Sequence, residues 1–382
     1  MWEVKKHLRI LHCPTDCGAH GPLLARTERK LGHDSLSVVF SQSYIGYKPD
    51  VLVVPFRGLK YLSIGELRRW RWVAKSLRYD VIHYNFGSSL CPNPVYLGSG
   101  LTLPYPGLRV AYSIYAISMM MFDVWLLHKL GKVICVTFQG GDARQARGAR
   151  DLDEHSPSYY IPVLDFFKRI KIKRWAKYAD HIYTINPDLM DYLPARTKFL
   201  PYVCTDPKEV YPMTITNKRK CLIHVANHRE PKGTDYIYHA VHNIRRRGAD
   251  FQFILAERLP LSTAQQLYLL GDVLVEQLII GWYGAQAVEF MSLGKPVVAY
   301  INPLDASRVP GELIDDLPII QATKDNIDDV LWKVVRMSNK TLNYIGQMSR
   351  KFVLKWHDPE KIARGLIADY RRKETRNEEI AF

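Results

Sequence analysis

Short runs of β-branched and other apolar residues alternate with longer helical patterns along almost the whole chain. In the first half, seven such runs have the length and composition of β-strands: 8–11, 37–40, 51–54, 81–83, 133–137, 181–185 and 198–200. Strands that alternate with helical segments are typical of βαβ units, in which neighbouring strands of one sheet run parallel. The alternation therefore predicts an α/β fold.

The alternation is interrupted once, by a polar stretch near residues 203–218, and then starts again. Five further strand candidates follow: 221–225, 251–255, 272–276, 296–300 and 319–320. A chain of 382 residues is also long enough for two domains. We predict two doubly wound Rossmann-like domains, 1–205 and 206–356, facing each other across a cleft, with a helix at 357–382 that packs back on the first. Open α/β sheets bind ligands at the carboxyl ends of their strands, so the cleft is the expected site.

The charge of the chain is unevenly distributed. Its 53 Lys+Arg and 38 Asp+Glu give a net charge of +15, and residues 1–200 alone hold 28 basic and 16 acidic side chains. Such an excess is expected to face phospholipid, nucleic acid or a phosphorylated substrate. The sequence contains no helix-turn-helix, zinc-finger or RNP pattern and no zinc-type Cys/His spacing, so we expect neither a nucleic-acid partner nor a metal site. With 47% hydrophobic residues, the composition excludes a disordered, collagenous or coiled-coil protein.

The sequence predicts a cytoplasmic protein that is soluble or peripheral to the inner membrane leaflet. It shows no secretory signal, and its six cysteines include no C-x-x-C pair. The longest apolar stretch, 110–122, is shorter than the roughly 20 residues that span a bilayer, so we expect a buried or interfacial helix. Basic segments with tryptophans at 66–78 and 168–175 are candidates for lying on an anionic membrane, the alternative being solvated surface.

Two polar loops follow predicted strands of the first half. Gly18 and Gly21 flank His20 after the first strand, where backbone N–H groups can approach a phosphate or a sugar at a helix N-terminus. A plain βα turn is the alternative. The loop after strand 133–137 carries Gln139, Asp142 and Arg144, and a structural ion pair between the last two is its alternative interpretation.

The second half offers a basic turn and an isolated carboxylate. Arg229 and Lys232 precede an amphipathic helix that Thr234 could cap, an arrangement suited to a diphosphate, although a solvated basic turn would look the same. Glu289 is the one charged residue between Gln277 and Gly294. A lone carboxylate in an apolar segment is costly unless it is hydrogen-bonded, and a ribose diol would satisfy it. Backbone amides of its own domain are the alternative partners.

Six segments together resemble a known enzyme family: 10–15, 80–89, 136–144, 185–189, 232–235 and 281–297. They are similar to the retaining GT-B glycosyltransferases of glycosyltransferase family 4, most closely to bacterial members that act in surface-polysaccharide biosynthesis. The resemblance implies a GT-B fold and transfer of a sugar, with retention, from a nucleoside-diphosphate sugar to a saccharide acceptor that is expected to be lipid-linked. It implies no cofactor and no metal, because cationic side chains stabilise the leaving diphosphate.

The resemblance also implies a role for each matching residue. The donor-binding set is Gly18, His20, Gly21, Asn227, Gly284, Ala285 and Glu289, in which Glu289 would bind the ribose hydroxyls. The catalytic set is Gln139, Asp142, Arg229 and Lys232. The acceptor side is represented by Asn85 and Arg144.

The sequence departs from the family pattern at two positions, 281 and 139. Gly281 stands eight residues before Glu289, where the family commonly has a second glutamate, and Gln139 stands where it has a histidine. A neutral amide can hydrogen-bond a sugar hydroxyl but cannot act as a general base. A non-catalytic nucleotide-sugar or carbohydrate-binding protein on the same scaffold is therefore the alternative function, and a nucleic-acid binder is a third interpretation, based on charge alone.

Overall fold

The structure is a computed structural model that describes residues 7–41, 43, 45–54, 60–93, 106–145 and 162–372. Twelve strands form two separate sheets, each of which is parallel throughout the described residues. Every strand that the sequence predicts is present, with ends that differ by at most three residues. The predicted α/β class is therefore confirmed.

The first sheet has seven strands in the order β3-β2-β1-β4-β5-β6-β7. The strands are β1 Arg9–Cys13, β2 Asp34–Val39, β3 Val51–Leu52, β4 Val81–Asn85, β5 Val133–Phe138, β6 His181–Thr184 and β7 Lys198–Phe199. Its helices are α1 His20–Lys30, α2 Glu66–Ser76, α3 Pro106–Met119, α4 Phe122–Lys129 and α5 Pro162–Tyr178. Every residue of β4 and β5 is buried, as expected for central strands that helices cover on both faces.

The second sheet has five strands in the order β12-β11-β10-β8-β9. The strands are β8 Cys221–Ala226, β9 Gln252–Glu257, β10 Val273–Val275, β11 Val297–Ala299 and β12 Ile320–Gln321. The helices after β8 are α6 Arg229–Lys232, α7 Thr234–Arg246, α8 Leu261–Leu270, α9 Ala285–Ser292, α10 Pro303–Ala306, α11 Gly311–Asp316, α12 Ile327–Arg336, α13 Asn339–Trp356 and α14 Pro359–Tyr370. On α7, the buried positions 237, 240, 241 and 244 repeat with helical period, which fixes the face that packs on this sheet.

The last helix, α14, packs on the first domain rather than on the second. The Tyr370 hydroxyl lies 2.6 Å from Nδ1 of His83 in β4, and Asp369 accepts a hydrogen bond of 2.8 Å from the hydroxyl of Tyr183 in β6. The chain thus crosses back after α13. Residues 373–382 of the predicted C-terminal helix lie outside the described residues.

The apolar stretch predicted at 110–122 is part of a longer helical region, Pro106–Lys129. This region has 24 residues, and its most apolar 18-residue window has a mean hydropathy of 1.6, so by length and composition the helical region, which is longer than the predicted stretch, could cross a membrane. The region is divided at Met121, whose φ of 61° ends α3 and starts α4. On α3, the side chains of Val110 and Ile114 are 61% and 64% exposed.

The two basic segments are less exposed than their composition suggests. In α2, Arg69 is buried and pairs with Glu66, and Trp70 donates from Nε1 to the hydroxyl of Tyr115 in α3. In α5, Lys168 and Lys171 are both buried. Part of the positive charge therefore belongs to the interior of the domain and is not available to a partner.

Candidate functional site

The first-domain side of the site is formed where β1, β4 and β5 end. After β1, a single turn of 3-10 helix, Cys17–Ala19, with Gly18 at φ 62° leads into α1. Gly21, in the first turn of α1, lies directly against Asn85 at the end of β4, because a Cβ added at this glycine would be 2.8 Å from Nδ2 of Asn85. A side chain at position 21 would therefore displace that amide.

Three buried polar side chains at this edge have atoms without a hydrogen-bond partner among the described residues. Both ring nitrogens of His20, both amide atoms of Asn85 and both amide atoms of Gln139 are of this kind. The side chains are 2%, 0% and 7% exposed. Buried polar atoms without partners are costly, so this polar cradle (His20, Asn85 and Gln139) is suited to a ligand that both donates and accepts hydrogen bonds.

The polar cradle carries no charge. Burial, together with the neighbouring His12, lowers the pKa of His20 to about 3, so its imidazole is neutral at physiological pH. Asn85 and Gln139 are amides. Neutral groups that can donate and accept are complementary to sugar hydroxyls, whereas a phosphate would require donors or cations.

Asp142 and Arg144 do not form the ion pair considered from the sequence. The Asp142 carboxylate accepts hydrogen bonds from the backbone N–H groups of Gln139, at 3.1 Å, and Gly140, at 2.7 Å. Arg144 donates from Nε to Asp188 at 2.6 Å. Asp142 is fully buried, and its oxygens hold the loop that carries Gln139, while its assignment to the catalytic set stays a prediction.

The second-domain side begins with the turn between β8 and α7. Thr234 is not a helix cap, which corrects the sequence prediction: its Oγ1 lies 2.8 Å from Nε2 of His224, and Gly233, at φ 70°, occupies the N-cap position. Arg229 is exposed and its guanidinium pairs with Asp235 and Glu257. Asn227 is half-buried beside it.

Lys232 turns into the protein and contacts a carboxylate that sequence reasoning missed. Its Nζ forms an ion pair with Oε1 of Glu276, whose side chain is fully buried. Burial lowers the pKa of the Lys232 amine, and the Glu276 carboxylate opposes this by favouring its charged form. The signal was available, because Glu276 is the last residue of the predicted strand 272–276 and therefore stands at the carboxyl end of β10.

Gly284 brings the N-terminus of α9 to the same place. A Cβ added at Gly284 would be 3.1 Å from Oε1 of Glu276 and 3.8 Å from Nζ of Lys232. Gly284 is the N-cap residue of α9 and Ala285 is its first residue, so their backbone N–H groups belong to the positive end of that helix. Lys232, Glu276 and Gly284 thus converge at one point, where the ammonium and the helix end could hold an anion.

Glu289 lies on the buried side of α9, one helical turn further along. Its side chain is 6% exposed, and Oε1 has no hydrogen-bond partner among the described residues. Burial raises the pKa of Glu289 to about 8. Burial is the main cause that raises the pKa of Tyr47, and the negative charge of Glu289 raises it further. Because Tyr47 belongs to the first domain, that domain comes close to Glu289. Glu289 therefore stands at the boundary of the two domains.

Gly281 cannot carry the glutamate that the family resemblance leads one to expect. A Cβ added at Gly281 would be 2.3 Å from the Cβ of Asn302, and the backbone N–H of Asn302 donates to the Gly281 carbonyl at 2.9 Å. Asn302 in turn caps α10. The close packing of residue 281 against residue 302 therefore requires a glycine at position 281.

Both domains contact each other around the site. The carbonyl of Ile45 accepts a hydrogen bond of 2.8 Å from the backbone N–H of Leu261, at the start of α8. Arg308 of the second domain donates to Asp191 of the first at 2.6 Å. Among the described residues, no group of three or more His, Cys, Asp or Glu side chains could hold a metal ion.

Comparison with known proteins identifies the fold. No family model and no curated protein matches the sequence. Sucrose-phosphate synthase from Thermosynechococcus elongatus is 13% identical with a TM-score of 0.60, over 96% of this chain and 98% of that one. HepE from Anabaena, solved in complex with UDP and glucose, is 13% identical with a TM-score of 0.54, over 95% and 99%. A glycosyltransferase from Rickettsia africae gives 12% identity and a TM-score of 0.51, over 96% and 98%.

The chain has the GT-B fold. Two observations support this fold: the chain forms two parallel sheets, and it aligns over almost its whole length with these structures. The fold is the one that the sequence predicted. At 12–13% identity the likeness establishes the architecture, while the function depends on the side chains of the site.

Proposed function

We propose that this protein is a glycosyltransferase that moves a sugar from a nucleoside-diphosphate sugar to a saccharide acceptor. The observation that carries the proposal is the pair of Lys232 and Glu289 at the carboxyl edge of the second sheet. One is a cation beside a helix N-terminus, and the other is a buried carboxylate with an oxygen that lacks a partner. Diphosphate and ribose diol are the two groups that such a pair complements.

In this proposal the second domain binds the nucleotide. Lys232 and the backbone amides of Gly284 and Ala285 stabilise the charge that develops on the leaving diphosphate, so no metal is required for that purpose. Glu276 holds the Lys232 ammonium in place before the donor arrives. Glu289 accepts hydrogen bonds from the ribose hydroxyls. Asn227 and Arg229 lie in the turn between β8 and α7 and form the part of the donor site that is nearer to solvent.

The first domain then presents the sugar. His20, Asn85 and Gln139 hydrogen-bond the hydroxyls of the transferred sugar or of the acceptor, and Gly18 and Gly21 allow the backbone to approach the donor phosphates. A glutamine cannot take a proton, so the leaving diphosphate helps to deprotonate the acceptor hydroxyl, and transfer proceeds with retention through an oxocarbenium-like state. Arg144, anchored by Asp188, borders the acceptor side.

We further propose a cellular setting for this reaction. The acceptor is a lipid-linked saccharide, and the protein works on the cytoplasmic leaflet of the membrane in the biosynthesis of a surface polysaccharide. The positive charge of residues 1–200 supports an anionic membrane as the neighbouring surface, because it is the domain with the polar cradle that carries this charge.

Release of nucleoside diphosphate from a panel of nucleotide sugars tests the proposal. We expect one donor to be turned over slowly in water, and faster when the matching saccharide acceptor is added, since the acceptor hydroxyl replaces water as the nucleophile. A protein that binds one nucleotide sugar tightly but releases no diphosphate with any acceptor would instead be the non-catalytic binding protein that the replacements at Gly281 and Gln139 suggest. The Lys232→Met variant described below is the blank for contaminating activity.

A further inference from the structure

One surface of the first domain is apolar and exposed, and the donor site does not use it. We define the α3 face as the exposed apolar side chains of α3 with their neighbours in α2 and α4: Leu67, Leu108, Val110, Ile114, Ile117, Phe122 and Trp125. Trp70 connects the three helices, with its ring centroid 6.1 Å from that of Phe122, which in turn lies 5.5 Å from Trp125. Exposed apolar side chains gathered on neighbouring helices mark surfaces that bind a partner or a membrane.

The helices below the α3 face are attached to the domain by polar contacts. In α4, Asp123 accepts hydrogen bonds of 2.8 Å from the Tyr84 hydroxyl and from the backbone N–H of Leu90. In α3, the hydroxyls of Tyr112 and Tyr115 donate to Glu66 of α2 at 2.7 and 3.0 Å. These contacts hold α3 and α4 against the rest of the domain, and the break at Met121 divides the apolar region into two helices.

In the described segments that form the α3 face, residues 60–78 and 106–132, every exposed charge is positive. Residues 60–78 and 106–132 contain two acidic side chains, Glu66 and Asp123, and both are taken up by the internal contacts just described. The same segments contain nine basic side chains: Lys60, Arg68, Arg69, Arg71, Lys75, Arg78, Arg109, Lys129 and Lys132. Of these nine, Arg69 alone is buried. An apolar stripe bordered by cations has the chemistry of an anionic lipid surface.

We propose that the α3 face docks on the surface of an anionic phospholipid bilayer. The apolar side chains of α3 and α4 enter the layer just below the headgroups, while the surrounding lysines and arginines contact lipid phosphates. The structure thereby shifts the membrane contact from the basic residues of α2, which the sequence indicated, to the apolar stripe beside them. The α3 face lies on the crossover from β4 to β5, the strands that carry Asn85 and Gln139 at their carboxyl ends.

Vesicle flotation of the full chain tests this docking surface. We expect the wild type to float with vesicles of phosphatidylcholine containing about one-third phosphatidylglycerol at about 0.15 M salt, and much less with phosphatidylcholine alone. The double variant Val110→Asp/Ile114→Asp should bind about tenfold more weakly or worse, because both positions would carry a charge into the layer. Replacing Arg71 and Arg78 by alanine should weaken binding by about fivefold per charge, and on the anionic vesicles only.

A matched control separates docking from general stickiness. Leu269→Asp/Leu270→Asp changes two leucines of α8 that are 50% and 59% exposed, and it should float like the wild type. Circular dichroism and thermal unfolding check that all variants fold. Because the replaced residues are exposed, turnover with a soluble acceptor should be unchanged, so failure of this inference and failure of the proposed transferase activity are distinguishable.

Four results would overturn the inference. Equal flotation of the wild type and the α3 double variant, or no flotation of the wild type, would remove the membrane from this surface. A wild-type dimer that the α3 double variant converts to a monomer, without vesicle binding, would make the surface an interface between two copies. Wild-type protein that stays in membranes through alkaline carbonate extraction would mean that Pro106–Lys129 spans the bilayer.

Discussion

Replacing Lys232 by methionine is expected to lower turnover of the donor by about 100- to 1,000-fold, the usual loss when one preorganised donor to a developing negative charge is removed. Lys232 is the cation that stands at the N-terminus of α9, and its side chain is 15% exposed, so solvent ions cannot easily replace it. Binding of the nucleoside diphosphate should weaken in parallel. Initial rates of diphosphate release and a titration of the product nucleotide measure the two effects.

The same variant leaves the Glu276 carboxylate buried without its cation, which costs about 3–5 kcal/mol of folding free energy. The double variant Lys232→Met/Glu276→Leu removes both charges and should regain most of the melting temperature while remaining inactive. Lys355→Met is the matched control, since Lys355 is half-exposed and pairs with Asp316 on the surface of the same domain. If the double variant, with its stability restored, turned over the donor at the wild-type rate, Lys232 would have no part in the reaction.

Replacing Glu289 by glutamine is expected to weaken nucleotide binding by about 10- to 100-fold at pH 8.5, because two ribose hydroxyls lose a charged acceptor. The effect should depend on pH. Burial raises the pKa of Glu289 to about 8, and the ribose diol binds the ionised form, so wild-type affinity should increase by up to about tenfold per pH unit until pH 8 and then level off. Lys232 and the ligand phosphates titrate in the same way in both proteins. The ratio of wild-type to variant affinity therefore reports the titration of Glu289 alone.

The unliganded protein provides a second readout for Glu289. Its folded pKa of about 8 exceeds the ordinary value of 4.5, so the unfolded chain releases this proton first as the pH rises. The carboxylate therefore lowers stability progressively between about pH 4.5 and pH 8, and Glu289→Gln should remove that loss. A difference in melting temperature between variant and wild type that stays constant from pH 5 to pH 8 would show that Glu289 is not buried as described.

The sequence was sufficient for the fold because each strand of a doubly wound sheet is a local signal. All twelve strands were predicted, since buried parallel strands are short apolar runs and need no knowledge of their neighbours. The α3 region was underestimated for the opposite reason. Met121, at φ 61°, divides the apolar region into two helices, and only the folded chain shows which of their sides is left uncovered.

The site could be predicted in part. Glu289 is predicted as a site residue because it is an isolated charge in an apolar segment, and Lys232 because it stands with Arg229 in a basic turn before a helix. The partner of Lys232 was not found, because Glu276 is 44 residues away and meets the lysine only when β8 and β10 pair. The same holds for Asn302, which closes the space beside Gly281. Contacts between strands decide these roles.

Thermal unfolding of the wild type and of Glu289→Ala with UDP, GDP, ADP, dTDP and CMP is the most direct test of the donor site. A ligand that binds only the native state adds about 2.7 kcal/mol at 100 times its Kd, which raises the melting temperature by several degrees. The proposed function predicts such a shift with one nucleoside diphosphate in the wild type and its loss in Glu289→Ala. No shift with any nucleotide, or an equal shift in both proteins, would contradict a nucleotide-sugar site at Lys232 and Glu289.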